Sequence, residues 1–253
     1  MSVRRLLSSV VLAIFAGCVT LPPAPRQPIG AEARQVIERL EARWREFGSL
    51  RTLADLVVEK GAERHTLRGV LLAKAPTSVR FEALSPMGQP LLLASVHDGR
   101  LTAYDATTNE AYVGPATPAV TARFLQLPFE TDDLVGLLAG RPVPPLDVRA
   151  AELMPTDEIG PSIELRGATN RRRIWLDPAT SVVRQFELTG GRAEVRVRYQ
   201  RGPGAELAGF DLTTAPAVVS LTVRYQSPAF DVPLGADAFA LTVPKGAKIR
   251  EIR

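Results

Sequence analysis

The chain is poor in the residues from which most catalytic and metal sites are built. Its 253 residues hold a single cysteine, Cys18, and two histidines, His65 and His97. One cysteine excludes an internal disulfide framework and a multi-cysteine metal site, and two histidines leave little for a histidine metal cluster. No Gly-x-Ser-x-Gly elbow, His-Glu-x-x-His helix or Walker loop occurs. His65 sits in Glu63-Arg64-His65-Thr66 and His97 precedes Asp98-Gly99, so both read as surface or turn residues. As neighbours on a strand, His97 and Asp98 would point to opposite faces and could not work as a pair. The expectation is a protein that is not an enzyme and takes no metal or cofactor. Its 19 glycines and 21 prolines are spread along the chain, so neither a collagen-like nor a wholly disordered reading fits. No fixed-period repeat is evident. A hydrophobic share of 45% against 23% charged residues is enough to bury a core.

What is present begins with an address. Arg4 and Arg5 precede an apolar run, Leu6 to Phe15, that is shorter than the roughly 20 residues needed to span a bilayer. It reads as a secretory signal peptide over residues 1–17. Phe15-Ala16-Gly17-Cys18 resembles the lipobox of bacterial lipoproteins. That resemblance implies cleavage before Cys18, a diacylglycerol on its sulfur and an acyl chain on its amino end. Each buried methylene contributes about 0.8 kcal/mol, and stable anchoring takes two or more lipid signals, which three chains satisfy. Val19 stands where an aspartate would signal inner-membrane retention in enterobacterial lipoproteins, so the resemblance implies an outer-membrane anchor facing the periplasm. Losing Arg4 and Arg5 takes the formal charge from +4 to about +2, so neither charge nor destination favours a nucleic-acid partner.

Residues 18–30, with Pro22, Pro23, Pro25 and Pro28, read as an extended tether. The remainder, 31–253, reads as one domain. A helix is expected over about residues 31–47, where Val36, Ile37, Leu40, Trp44 and Phe47 share one side and Gly48 is a stop. From about Thr52 the period changes to two. Val79, Phe81 and Ala83 alternate with Arg80 and Glu82; Val195, Val197 and Tyr199 alternate with charged residues; so do Val219, Leu221, Val223 and Tyr225 with polar ones. This is the pattern of antiparallel strands with one dry side, and about eleven to thirteen such candidates occur. Two short helices, 117–127 and 131–139, interrupt the meander before Gly140-Arg141-Pro142 stops them. Arg171-Arg172-Arg173 reads as a solvated strand end with an affinity for phosphate headgroups as the alternative. Asp105 to Glu110 and Asp177 to Thr180 read as turns.

The expected fold is therefore mainly β: a half-open antiparallel barrel of about eleven strands, with an N-terminal helix and a helical lid. Periodicity alone favours a hollow filled by side chains, with an open apolar cavity as the alternative. The order of these parts resembles the LolA/LolB superfamily of periplasmic lipoprotein carriers, on the LolB side. Leu84-Ser85-Pro86-Met87-Gly88 is similar to a LolB loop whose apolar residue protrudes, and Asp132 to Pro144 is similar to the family's helix ending in Gly-x-Pro-(Ile/Val)-Pro. Phe239 to Ala247 is similar to a closing strand of that family, while its Trp-rich segment is missing after Pro145. The resemblance implies a monomeric outer-membrane lipoprotein that receives acyl chains of lipid or lipoprotein, with a periplasmic LolA-like carrier as partner. Met87 would touch the membrane; Phe81, Leu92, Phe124, Leu138, Trp175 and Phe186 are the candidate lining of the cavity. The alternative is a scaffolding lipoprotein with a filled core and no ligand.

Overall fold

A computed structural model describes residues 25–117, 119–120, 129, 131–190, 194–216 and 218–252. Cys18, Phe124 and most of the expected helix 117–127 lie outside the described residues. The chain opens with α1 (Ala31–Arg45), whose Ala33, Val36, Ile37 and Leu40 form one buried stripe. Arg43 and Arg45 occupy its last turn, where the helix dipole favours cations.

The strands follow as β1 (Ser49–Lys60), β2 (Glu63–Lys74), β3 (Ser78–Leu84), β4 (Pro90–His97), β5 (Arg100–Asp105) and β6 (Glu110–Pro115). Next comes the helix α2 (Thr131–Leu138), then β7 (Ala150–Met154), β8 (Ser162–Arg166), β9 (Arg171–Leu176) and β10 (Val183–Thr189). The last four are β11 (Glu194–Arg201), β12 (Leu207–Ala215), β13 (Val219–Phe230) and β14 (Lys248–Glu251). All belong to one 14-stranded sheet, in the order β14-β6-β5-β4-β3-β2-β1-β13-β12-β11-β10-β9-β8-β7. The sheet is open: β14 and β7 are its two edges and do not pair with each other. The expectation of about eleven strands, all antiparallel, is thus corrected to 14 among the described residues, of which β14 runs parallel to β6. Two meanders, β1–β6 and β7–β13, meet at a central seam between β1 and β13, where Ala54 faces Tyr225 and Leu56 faces Val223.

Register assigns the sides. Val79, Phe81 and Ala83 stand opposite Val96, Ala94 and Leu92, and facing residues share a side. On this concave side the core joins α1 and α2 to Leu50, Leu71, Phe81, Ile174, Phe186, Val197, Phe210 and Val223. Gly209, at φ +140°, lets β12 approach β13: a Cβ there would sit 2.1 Å from the Val223 carbonyl oxygen.

The convex side is crossed by the C-terminal segment. Arg80 donates to the carbonyls of Ala238 (3.1 Å) and Ala240 (2.7 Å), Ser95 to that of Phe239 (2.6 Å), and Lys74 to that of Leu234 (2.6 Å). Phe239 is buried, its ring stacked on His97. The closing strand expected over 239–247 is therefore displaced. A 3-10 turn (Ala236–Phe239) and an extended strap cover those residues, and side chains of β3 and β4 hold the carbonyls of Ala238, Phe239 and Ala240. The strand itself begins at Lys248.

Candidate functional site

Two regions qualify: the concave side with its rim, and a cleft on the convex side. On the concave side, α2 is flush with the sheet. Leu134, Val135, Leu137 and Leu138 are all buried. The helix ends because Gly140 (φ +65°) reverses the chain, with Arg141 N–H donating to the Gly136 carbonyl and Gly140 N–H to that of Leu137. Gly136 has a steric reason as well: a Cβ there would lie 2.8 Å from the Arg141 carbonyl oxygen. Two polar ties fix α2. The Tyr225 hydroxyl donates to the Leu138 carbonyl at 2.8 Å, and burial raises the Tyr225 hydroxyl well above its ordinary pKa. Arg172 makes a bidentate pair with Asp133 at 2.6 and 3.0 Å, and both side chains are 7% exposed. The expected solvated character of Arg171-Arg172-Arg173 is thus corrected at its middle member. Arg172 shares the parity of Ile174 and Leu176, which face the core, so its guanidinium is carried under α2.

The expected cavity residues separate. Phe81, Leu138 and Phe186 belong to the concave core, and Leu92 packs half-buried against it. Trp175 does not join them. It alternates with Ile174 and Leu176, so it points to the convex side, where its indole N–H reaches both carboxylate oxygens of Asp157 at 2.9 Å and Arg173 stacks over its ring at 4.3 Å. That hydrogen bond, with those from the Ile159 and Gly160 amides, holds the Asp157 carboxyl below its ordinary pKa. Among the described residues, the side chains of the concave side around the two helices are largely buried.

One end of the sheet is different. The β1–β2 turn, the β3–β4 loop and the β12–β13 connection all fall at this end, since Lys60 pairs with both Glu63 and Val219 while Lys74 and Ser78 pair at the other. Here the concave leucines Leu56, Leu67, Leu92 and Leu221 are only half-buried. Beside them Met87 is 88% exposed and Val218 72% exposed. The Met87 loop is rigidly built: Gly88 takes φ +77°, its N–H donates to the Ser85 carbonyl at 2.8 Å, and Ser85 N–H donates to the Gln89 carbonyl at 2.7 Å. Leu146, just ahead of β7, is 99% exposed.

His65 has the expected surface role, but His97 does not: it ends β4, half-buried and stacked on Phe239. His97 Nε2 lies 3.3 Å from Asp98, because Asp98 has left the strand at φ +48° and its side chain folds back. His97 Nδ1 meets Ser78 Oγ at 2.9 Å, and His65 is exposed.

The second region is a cleft of about 800 Å³ at the far end of β5 and β6, roofed by the strap. Val113, Leu241, Val243 and Ile249 supply apolar walls, with Arg100, Asp98 and Glu251 at the rim.

An open β-sheet curved around an N-terminal helix, with a short helix laid into its hollow, defines the LolA/LolB-like fold, and this chain has that fold. Solved structures give the particulars. A putative outer membrane lipoprotein-sorting protein domain from Vibrio parahaemolyticus matches with a TM-score of 0.55 at 12% identity, over 82% of this chain and 96% of that one. A LolA superfamily protein from Nitrosomonas europaea matches with a TM-score of 0.54 at 11% identity, over 83% and 97%. A DUF1329 family protein from Desulfovibrio piger gives 0.56 at 11%, over 83% and 96%. No protein-family model and no curated protein matches the chain.

Proposed function

We propose that this chain is a non-catalytic carrier or receptor of the bacterial envelope, which takes acyl chains of lipid or lipoprotein against its concave side when α2 swings away. The observation that carries this reading is the apolar end of the sheet, where exposed Met87 and Val218 adjoin half-buried Leu56, Leu67, Leu92 and Leu221. Exposed apolar side chains on a firm loop add nothing to a core and suit contact with lipid. The fold shared with a lipoprotein-sorting domain supports the same reading. Lipidated Cys18 would hold the domain at the outer membrane, facing the periplasm, within reach of a LolA-like carrier. Phe81 and Phe186 on the sheet would meet the acyl chain once α2 departs, and Leu138, carried on α2 itself, would face it from the lid side.

The test is native mass spectrometry of the chain purified without added lipid, followed by titration with a fluorescent fatty acid. Co-purified lipid, or saturable uptake, is the expected result. A ligand-free chain that takes up no fatty acid would end the carrier reading. Cys18→Ala should move the protein from the membrane to the soluble periplasmic fraction. The buried side chains of the concave side favour a second reading, a scaffolding lipoprotein without a ligand. In that case loosening α2 would leave fatty-acid uptake at zero.

A further inference from the structure

Three arginines gather where α1, the turn after α2 and the end of β11 meet. Arg43 lies in the last turn of α1, Arg141 follows Gly140, and Arg201 closes β11. Each donates to a backbone carbonyl: Arg43 to Thr180 (3.0 Å), Arg141 to Arg43 (2.7 Å) and Arg201 to Val183 (3.2 Å). Among the described residues none of the three forms an ion pair. Arg201 Nη2 sits 3.3 Å from where a Gly140 Cβ would be, which places it beside the Arg141 backbone. Burial pulls both Arg141 and Arg201 below the ordinary arginine pKa, and the guanidiniums they face pull them further. Asp231 and Glu46 act on Arg141 from a distance, but Asp231 already accepts the Gly48 N–H at 2.8 Å. Among the described residues, no carboxylate offsets the charge of Arg201.

Beneath this cluster are two orphaned polar atoms. Arg201 Nε and the Tyr199 hydroxyl are buried without a hydrogen-bond partner, and Tyr199 is 7% exposed. Tyr199 shares its strand face with Arg201, and the two groups act on each other electrostatically. Like charges held together and buried donors left open share one remedy, a ligand with several acceptor oxygens and negative charge.

We propose that Arg43, Arg141, Arg201 and the Tyr199 hydroxyl bind a phosphate-type oxyanion, the chemistry common to a phospholipid headgroup and free phosphate. The site stands without the acyl-chain reading: failure of fatty-acid uptake leaves it intact.

Calorimetric titration of the full chain with sodium phosphate, against sodium chloride at equal ionic strength, tests it. Saturable phosphate binding without a chloride counterpart is expected. Arg141→Gln and Arg201→Gln should each weaken it at least tenfold. Tyr199→Phe should weaken it several-fold while leaving the unfolding midpoint of the unliganded protein no lower, which a purely structural hydroxyl would not do. Short-chain phosphatidic acid and the matching diacylglycerol separate the sources. A headgroup site binds the former at least tenfold tighter than phosphate and ignores the latter; a free-phosphate site binds phosphate and phosphatidic acid alike. Where a glutamine variant fails to fold, Arg141→Lys and Arg201→Lys replace it, keeping charge but losing the planar fork. Phosphate binding no stronger than chloride, or unchanged in every folded variant, overturns the proposal.

Discussion

Removing one half of the Asp133–Arg172 pair should be the costliest single polar change in the domain. Both side chains are 7% exposed and meet through two hydrogen bonds of 2.6 and 3.0 Å. In Asp133→Ala the guanidinium keeps only the Val143 carbonyl as an acceptor. Stranding one partner of a buried pair costs about 3–5 kcal/mol. At about 2–4 °C per kcal/mol for a domain of this size, the melting midpoint should fall by roughly 6–20 °C. The double variant Asp133→Leu/Arg172→Met should return to within about 1 kcal/mol of the parent, because apolar groups of similar volume replace a buried pair at little cost. Urea unfolding followed by tryptophan fluorescence measures all three proteins. A single variant that loses less than about 1 kcal/mol, or a double variant no better than the single, would refute the reasoning. The same experiment bears on the carrier reading. Asp133→Ala frees the first turn of α2, so fatty-acid uptake should rise in that variant while global stability falls.

Met87→Glu should leave the unfolding midpoint within about 0.5 kcal/mol of the parent, since the side chain is 88% exposed. It should also lower binding to lipid vesicles and lipoprotein delivery; normal delivery in cells would remove the loop from the mechanism. Gly209→Ala should cost at least about 2 kcal/mol, because it adds backbone strain at φ +140° to a clash with the Val223 carbonyl. A near-neutral result in urea would show that β12 and β13 separate easily. Hydrogen bonds from Arg250 and then Tyr112 hold the Glu110 carboxyl down at about 2. Its folded pKa is depressed, so its contribution to docking β14 is complete above the unfolded value near 4.3 and fades as pH falls towards 2. Protection of the β14 amides relative to their intrinsic exchange rate should thus fall below about pH 4, and Glu110→Gln should abolish that dependence.

Alternation was enough to find strands such as β3, β11 and β13, because one dry side forces a period of two. The 3.6-residue stripe was enough for α1. What local pattern does not contain is pairing. The β1–β13 seam joins residues such as Leu50 and Phe230, and β14 pairs with β6 through a parallel register. The strap over residues 239–247 has the apolar texture of a strand, yet Ser95 and Arg80 take the carbonyls of its first two residues, Phe239 and Ala240. Trp175 is as apolar as its neighbours, and only its parity against Ile174 and Leu176 turns it away from the hollow. The same parity was the available signal for burying Arg172, and it becomes readable only once α2 brings Asp133 to meet it. Met87 was legible because Pro86 and Gly88 enforce a loop whatever surrounds them.

The seam has a consequence for how the molecule comes into being. Its middle strand, β1, leaves the ribosome early, while its neighbour β13 leaves near the end. Until then the first meander has an unzipped border and the second has not been made. Distant pairings of this kind slow folding. A chain exported as a thread would lose nothing by the delay: it would knit its two halves together only after translocation, when both are on the same side of the membrane.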